Sequence, residues 1–298
     1  MRLSKGDRLL QIFIYAVLLF LGFIMLYPFW NAGVISLNNG MDTARGGITF
    51  WPRKFSLMNY KMVFENESLL RSFIVTILRT GIGTLLSVFF TAVFGYGMSK
   101  KELVGRKFYM IFSITTMYFS GGLIPSFLLM RSLHLMNNFW VMVLPGIISV
   151  YNMIIFRTFF EELPAGLEES AKIDGCNSIH TFFRIVLPIS GPVFATISLF
   201  TAVGHWNSWF DAAIYINDQK LQPIQTILNQ ILNSNSLDAL RAKGNIGAAG
   251  DYLNKTMEVT PKALQMATMM VLTIPIMCIY PFLQKYFTKG VLIGSIKG

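Results

Sequence analysis

The sequence predicts an all-α polytopic membrane protein with six transmembrane helices. Three observations lead there: 53% of the 298 residues are hydrophobic while only 13% are charged, six runs of spanning length contain no Asp, Glu, Lys or Arg, and those runs lack the alternating polar pattern of a barrel strand. Soluble domains carry nearly twice that charged fraction, about 25%. A hydrocarbon core about 30 Å thick needs roughly 20 helical residues. In lipid every backbone N–H and C=O must find its partner within the protein, which an α-helix achieves by itself. The formal net charge of +10 is spread between the apolar runs, so membrane orientation explains it better than a nucleic-acid patch does. Cys176 and Cys278 lie far apart and match no metal or redox spacing.

The runs, in order, are residues 9–30, 80–99, 108–130, 133–156, 185–210 and 263–284. The first follows Arg2, Lys5 and Arg8, but it is too long for a signal peptide and ends in Tyr27-Pro28-Phe29-Trp30 with no small-residue cleavage site. It reads as a retained span closed by an interfacial aromatic belt. The second is preceded by Arg71 and Arg79. In a helix starting at Arg71, Arg79 lies about 12 Å along the axis. There it is either a charge facing the bundle interior or an arginine snorkelling to the interface. Basic residues before the first run (Lys5, Arg8), between the second and third (Lys100, Lys101, Arg106, Lys107) and after the sixth (Lys285, Lys289, Lys297) fall on one side, which the positive-inside rule assigns to the cytoplasm. Both termini are then cytoplasmic. The layout is an N-terminus of residues 1–8, a membrane domain of 9–290 with its core at about 70–290, and a tail of 291–298. The membrane domain includes a cytoplasmic loop at 157–188 and an outer segment at 211–262.

The loop at 157–188 reads as two short helices and a turn. Pro164 suits a first helical turn, Gly175 suits the left-handed residue that ends a helix, and Ser178 suits the cap of the next. Leu167, Ala171 and Ile173 make an apolar face, with Glu168, Glu169 and Lys172 pointing elsewhere. Helices that lie on lipid are usually basic, whereas carboxylates outnumber bases here. The loop is therefore either a docking element for another protein or a plain surface loop. The six runs hold no carboxylate for an ion or proton relay, which counts against a secondary transporter. No H-E-x-x-H, G-x-S-x-G or G-x-x-x-x-G-K-[ST] motif is present, and His134, His180 and His205 lie apart. No catalytic residue and no metal ligand is assigned, and the chain is not expected to hydrolyse ATP itself.

Glu169-Ser170-Ala171-x-x-Asp174-Gly175, followed by Ile185-x-Leu187-Pro188, resembles the EAA motif of permease subunits of bacterial ATP-binding-cassette importers. Leu144-Pro145-Gly146, Trp206-Asn207-x-Trp209-Phe210, Ile274-Pro275 and the closing stretch from Gln284 to Gly298 resemble the carbohydrate branch that includes maltose-type permeases. Residues 119–126 and 293–298 are most similar to permeases of polysaccharide and oligosaccharide importers. Ser170 stands where that family often has Ala, and both are small. The resemblance implies a type I importer permease fold with a cytoplasmic coupling helix between helices 4 and 5. It also implies a second permease completing the pore as a heterodimer, two ATPases that bind ATP and Mg, and an extracellular or periplasmic substrate-binding protein, all at the bacterial inner membrane. By the same resemblance Glu168, Glu169, Ser170, Ala171, Asp174, Gly175, Leu187 and Pro188 contact the ATPase. The tail residues Gly290, Gly294, Lys297 and Gly298 reach toward the ATPase pair or form a solvated end. Trp206, Asn207, Trp209 and Phe210, with Tyr151 and Asn152, line a sugar path or belong to an aromatic belt. The segment 211–262 meets the binding protein or folds on its own permease. The alternatives are an importer permease for peptides, amino acids or phosphonates and, more remotely, a secondary transporter.

Overall fold

A computed structural model of the chain describes residues 5–233 and 259–295. Among these residues the regular structure is helical, and the only β pairing is an isolated bridge between Asn38 and Phe55. The chain divides into two compact units, Met1–Leu70 with Gln230–Pro275 and Arg71–Asn229 with Ile276–Gly298.

The first unit opens with α1 (Lys5–Ser36), α2 (Gly40–Ala44) and α3 (Met58–Glu65). α1 continues through Pro28, and none of its apolar spanning window is buried, as expected of a helix whose solvent is lipid. The aromatic belt forms at its end: Trp30 Nε1 donates to the Phe50 carbonyl at 2.9 Å, and the Trp30 and Trp51 rings meet edge to face. Beyond it, the buried Asn38 side chain organises the turn that follows. Its Nδ2 donates to Asp42 Oδ2 and Thr43 Oγ1, both at 3.0 Å, and its Oδ1 accepts from the Lys54 N–H at 2.9 Å. The hydrogen bond from Asn38, reinforced by Arg53, holds the Asp42 carboxyl below the usual carboxylate range.

The second unit carries α4 (Glu67–Ser99), α5 (Arg106–Tyr118), α6 (Leu123–Ser132) and α7 (Val150–Glu161). It continues through α8 (Ala165–Ile173), α9 (Ser178–Thr181), a π turn at Phe182–Val186, α10 (Leu187–Ile189), α11 (Gly191–Asn207), α12 (Phe210–Tyr215) and α13 (Ile224–Asn233). The last helix is α14 (Pro261–Ser295). α1, α4 and Pro261–Cys278 of α14 are each long and apolar enough to cross a membrane alone.

The other three charge-free runs are bent pairs. α5 and α6 meet at 112°, where Phe119 turns extended and Gly122 takes φ +86°. The first half of run 133–156 is not α-helical: His134 and Asn137 have positive φ, and two 3₁₀ turns follow, Phe139–Met142 and Leu144–Gly146, the second containing Pro145. Non-helical backbone at membrane depth is tolerated where protein buries it. Here Val141, Met142 and Val143 are at most 3% exposed. Asn137 Oδ1 also accepts from the backbone N–H groups of Asn217 (2.6 Å) and Asp218 (3.1 Å), which locks the irregular stretch to a distant loop. Ser178–Ile189 and Gly191–Asn207 meet at 83°, at the Ser190-Gly191-Pro192 break.

One apolar cluster joins Val88, Ala92 and Tyr96 of α4, Phe156 and Phe160 of α7, Phe182 and Val186 of the π turn, and Val193 and Ile197 of α11. The segment returning from the 161–176 loop is thus buried between three long elements, so the loop and the helices are mechanically continuous.

Candidate functional site

Two features of the second unit carry chemistry: the hairpin around α8 and a polar cavity beside α4. α8 begins just after Pro164, whose carbonyl accepts from the Leu167 N–H at 3.1 Å. It ends as its sequence dictates. Gly175 has φ +80°, Cys176 N–H reaches the Ala171 carbonyl at 2.9 Å, and Gly175 N–H reaches that of Lys172 at 3.1 Å. This is the double bond pattern that a left-handed glycine cap provides. The cap of α9 corrects the expectation for Ser178. Asn177, one residue earlier and in extended backbone, accepts the His180 N–H on its Oδ1 at 2.9 Å, and Ser178 is the first helical residue.

Ion pairs fasten this hairpin to the 100–106 turn. Lys100 pairs with Glu168, Lys172 Nζ lies 3.2 Å from Glu102, and Glu161 receives both Arg106 and Arg157, the latter at 3.0 Å. Lys100 Nζ also stands 3.9 Å from the centroid of the Tyr96 ring. An exposed pair stabilises by only about 0–1 kcal/mol. Pairs with opposite polarity joining the same two segments nevertheless fix one register. The basic cluster that sets orientation therefore also holds the acidic loop in place.

Of the coupling residues, Ala171 is buried against the unit, Leu187 is half-buried, and Glu169, Ser170, Asp174, Gly175 and Pro188 are exposed. Ile173 is 86% exposed, and among the described residues Glu162, Glu169 and Asp174 form no ion pair. The outward surface of α8 thus presents a bare isoleucine flanked by two unpaired carboxylates. Gly290 and Gly294 lie within α14, while Lys297, Gly298 and residues 234–258 of the outer segment lie outside the described residues.

In the second feature, Arg79 faces the interior and is 2% exposed. Its guanidinium pairs with Asp211, and Nη1 donates to the Ser208 carbonyl at 3.0 Å. Ser208 Oγ donates to Asp211 Oδ1 at 3.1 Å. His205 packs directly on α4 at Gly83, where a Cβ would come within 2.7 Å of the imidazole; only glycine permits that approach. Beside this cluster is a cavity of about 350 Å³ whose lining includes Arg79, Asn152, Phe200, Thr201, His205 and Tyr215. Of the residues proposed for a sugar path, only Asn152 lines it. Trp206 is buried edge-on against Phe73, whereas Tyr151, Asn207, Trp209 and Phe210 are exposed. Sequence reasoning passed over Asp211, Thr201 and His205 as participants here. The available signal was Arg79 itself, because an interior arginine requires a carboxylate and Asp211 is the first one after the fifth run.

Residues 83–293 match the family model described as binding-protein-dependent transport system inner membrane component. The chain belongs to that family. It is 40% identical to the polygalacturonan/rhamnogalacturonan transport system permease protein YtcP of Bacillus subtilis (strain 168), with 98% of this chain and 99% of that protein covered. It is 26% identical to the arabinooligosaccharides transport system permease protein AraQ of the same organism, covering 97% and 98%. Its fold is similar to a chain in the crystal structure of a bacterial ABC transporter involved in the import of the acidic polysaccharide alginate. The TM-score is 0.89 at 27% identity, with 96% of this chain and 99% of that chain covered. Family membership makes the chain a transport permease component, with the 157–188 loop and all of the cavity lining except Arg79 falling inside the matched region.

Proposed function

We propose that this chain is one pore-forming subunit of an ATP-driven importer of oligo- or polysaccharide fragments, working with a second permease, two ATPases and a substrate-binding protein. The observation that carries the reading is α8: a short capped helix, pinned by ion pairs to the 100–106 turn and continuous with the apolar core, that leaves Ile173, Glu169 and Asp174 free to meet a partner. A helix that presents docking groups on one side and is rigidly tied to membrane helices on the other transmits a push. The hairpin then lies in the cytoplasm with both termini, and closure of the ATPases moves α7 and α11 through Phe182 and Val186. The relatives named for polygalacturonan and arabinooligosaccharides support carbohydrate as the solute.

Proteoliposomes holding the complete importer test this with a panel of radiolabelled trigalacturonate, its methyl ester and arabinotriose. The expected result is ATP-dependent accumulation of at least one sugar, lost when this chain is left out. Accumulation of none of them, or accumulation that does not need ATP, contradicts the reading.

A further inference from the structure

Little of α5 is buried in this unit. Among the described residues Ser113 is its one buried residue, and neither α5 nor α6 contributes to the apolar cluster that ties α4, α7, the π turn and α11 together. The side-chain ties of α5 to α7 fall in its first two turns: Arg106 pairs with Glu161, and Arg157 Nη1 donates to Met110 Sδ at 3.8 Å. Arg106 Nε also donates to the Met98 carbonyl, at the end of α4, at 2.8 Å. At the far end of the bent pair, Met130 of α6 joins Val141, Met142, Ala212 and Ile216 in a second apolar cluster, and the Phe127 ring stacks on that of Tyr215 at 6.2 Å. The α5–α6 pair is thus a limb held by charge where α5 begins and by apolar packing where α6 ends.

The charged end is built on one face of α8. Glu168 and Lys172 are four residues apart, which puts them on the same side of the helix about 6 Å apart along its axis. Lys100 pairs with Glu168 and Glu102 pairs with Lys172, so the signs alternate in opposite order on the turn and on the helix. Sliding α8 by one turn would set Lys172 against Lys100, like charge against like. Two pairs of opposite polarity therefore resist displacement along the helix even where each alone is weak. The side chains of Lys100, Glu168, Arg106 and Glu161 are only 24–30% exposed, which screens them less than a surface pair. The turn between them is short and internally bonded, from the Leu103 N–H to the Lys100 carbonyl at 3.3 Å and from the Arg106 N–H to the Leu103 carbonyl at 3.2 Å. Glu169 and Ile173 remain exposed, so α8 has one side for the turn and another for a partner.

We infer that the 100–106 turn is a second coupling element, which carries the displacement of α8 into α5 and through the limb to the apolar cluster around Val141 and Ala212. The route through Phe182 and Val186 moves α7 and α11 but includes neither α5 nor α6. Lys100, Glu102 and Arg106 are positioning residues, acting on transport through α8 and α5. The inference rests on the importer reading and adds that the turn and α8 stay joined throughout the cycle, moving as one piece.

The test uses the complete reconstituted importer and reads, per assembled complex, the sugar taken up for each ATP hydrolysed, with whichever of trigalacturonate, its methyl ester and arabinotriose the wild type imports. Lys100→Glu should lower that ratio about fivefold, within the range a partly exposed ion pair can supply, while the ATPase stays on the purified complex. Adding Glu168→Lys restores opposite charges and should bring the ratio to within about twofold of wild type. Arg106→Gln, which loosens α5 and leaves the α8 pairs in place, should lower the ratio as Lys100→Glu does. In a Cys176→Ser, Cys278→Ser background, Glu102→Cys and Lys172→Cys joined by a short bis-methanethiosulfonate reagent should import as well as the unlinked background. A wild-type ratio for Lys100→Glu or Arg106→Gln, or a charge swap no better than the single reversal, overturns the inference and leaves the importer reading standing. Uptake that falls only as fast as the amount of assembled complex assigns these residues a structural role and also overturns it. Loss of import on linking shows that the turn and α8 must part, with the same consequence. If the wild type imports no sugar on the panel, the importer reading fails and the inference fails with it.

Discussion

Changing Asp174 to Arg and Gly175 to Val together should leave the chain in the membrane but cut ATP-driven uptake to below a tenth of wild type. Gly175 sits at φ +80°, where an L-residue costs roughly 1–2 kcal/mol and a β-branched one more. Valine there would give up the bonds from Cys176 and Gly175 to the Ala171 and Lys172 carbonyls and unwind the last turn of α8. That turn carries Ile173, the most exposed apolar residue of the hairpin. Arginine at 174 then reverses one of the two unpaired carboxylates on the same surface. Both positions are exposed and lie outside the apolar core, so membrane insertion and the bundle should survive. Uptake and retention of the ATPase on affinity-purified complex are the measurements; wild-type values for both would show that α8 is not the coupling element.

The second large effect is on stability. Arg79→Leu should destabilise the bundle by about 2–4 kcal/mol, because removing one member of a buried pair strands the other, and the figure is set below the fully buried range since Asp211 is 27% exposed. The loss also frees the Ser208 carbonyl and lets go of the α11–α12 corner, which Arg79 holds across 132 residues of sequence. Arg79→Leu with Asp211→Leu should recover much of that loss, since replacing both charges by apolar groups removes the stranded carboxylate. The double-mutant cycle, read as thermal midpoints of purified protein, should give a coupling well above the value for a surface pair. Single variants whose effects simply add would mean the pair contributes nothing to holding the corner.

How much of this was legible in the sequence depended on whether the signal was local. The hairpin was readable because Pro164 and Gly175 punctuate it within a dozen residues, although the cap moved from Ser178 to Asn177, Pro164 stands just before the first helical residue, and the expected apolar face is split, with Ala171 buried and Ile173 exposed. The start of α4 was not. A search for charge-free runs begins at Thr80, whereas the helix begins at Glu67, because Arg79 is neutralised by a carboxylate on a distant element. The bends within runs three, four and five also escaped the run-length criterion, although Gly122, Pro145 and the Ser190-Gly191-Pro192 break stood in the sequence. A lack of charge measures solubility in lipid and says nothing of helical continuity. The cavity depends on α4, α7, α11 and α12 converging, so Thr201 and His205 could not be told from other span residues, and the Trp and Asn cluster drew attention away from it, to a buried Trp206 and an exposed Asn207, Trp209 and Phe210.

The central claim, that α8 carries the force of ATP hydrolysis into the pore, is tested most directly by a photo-crosslinking residue such as p-benzoylphenylalanine in place of Ile173 in membranes that import sugar. The account predicts a covalent adduct between this chain and the ATPase subunit. Membranes that still import sugar but yield adducts to lipid alone, with none to the ATPase, would contradict it.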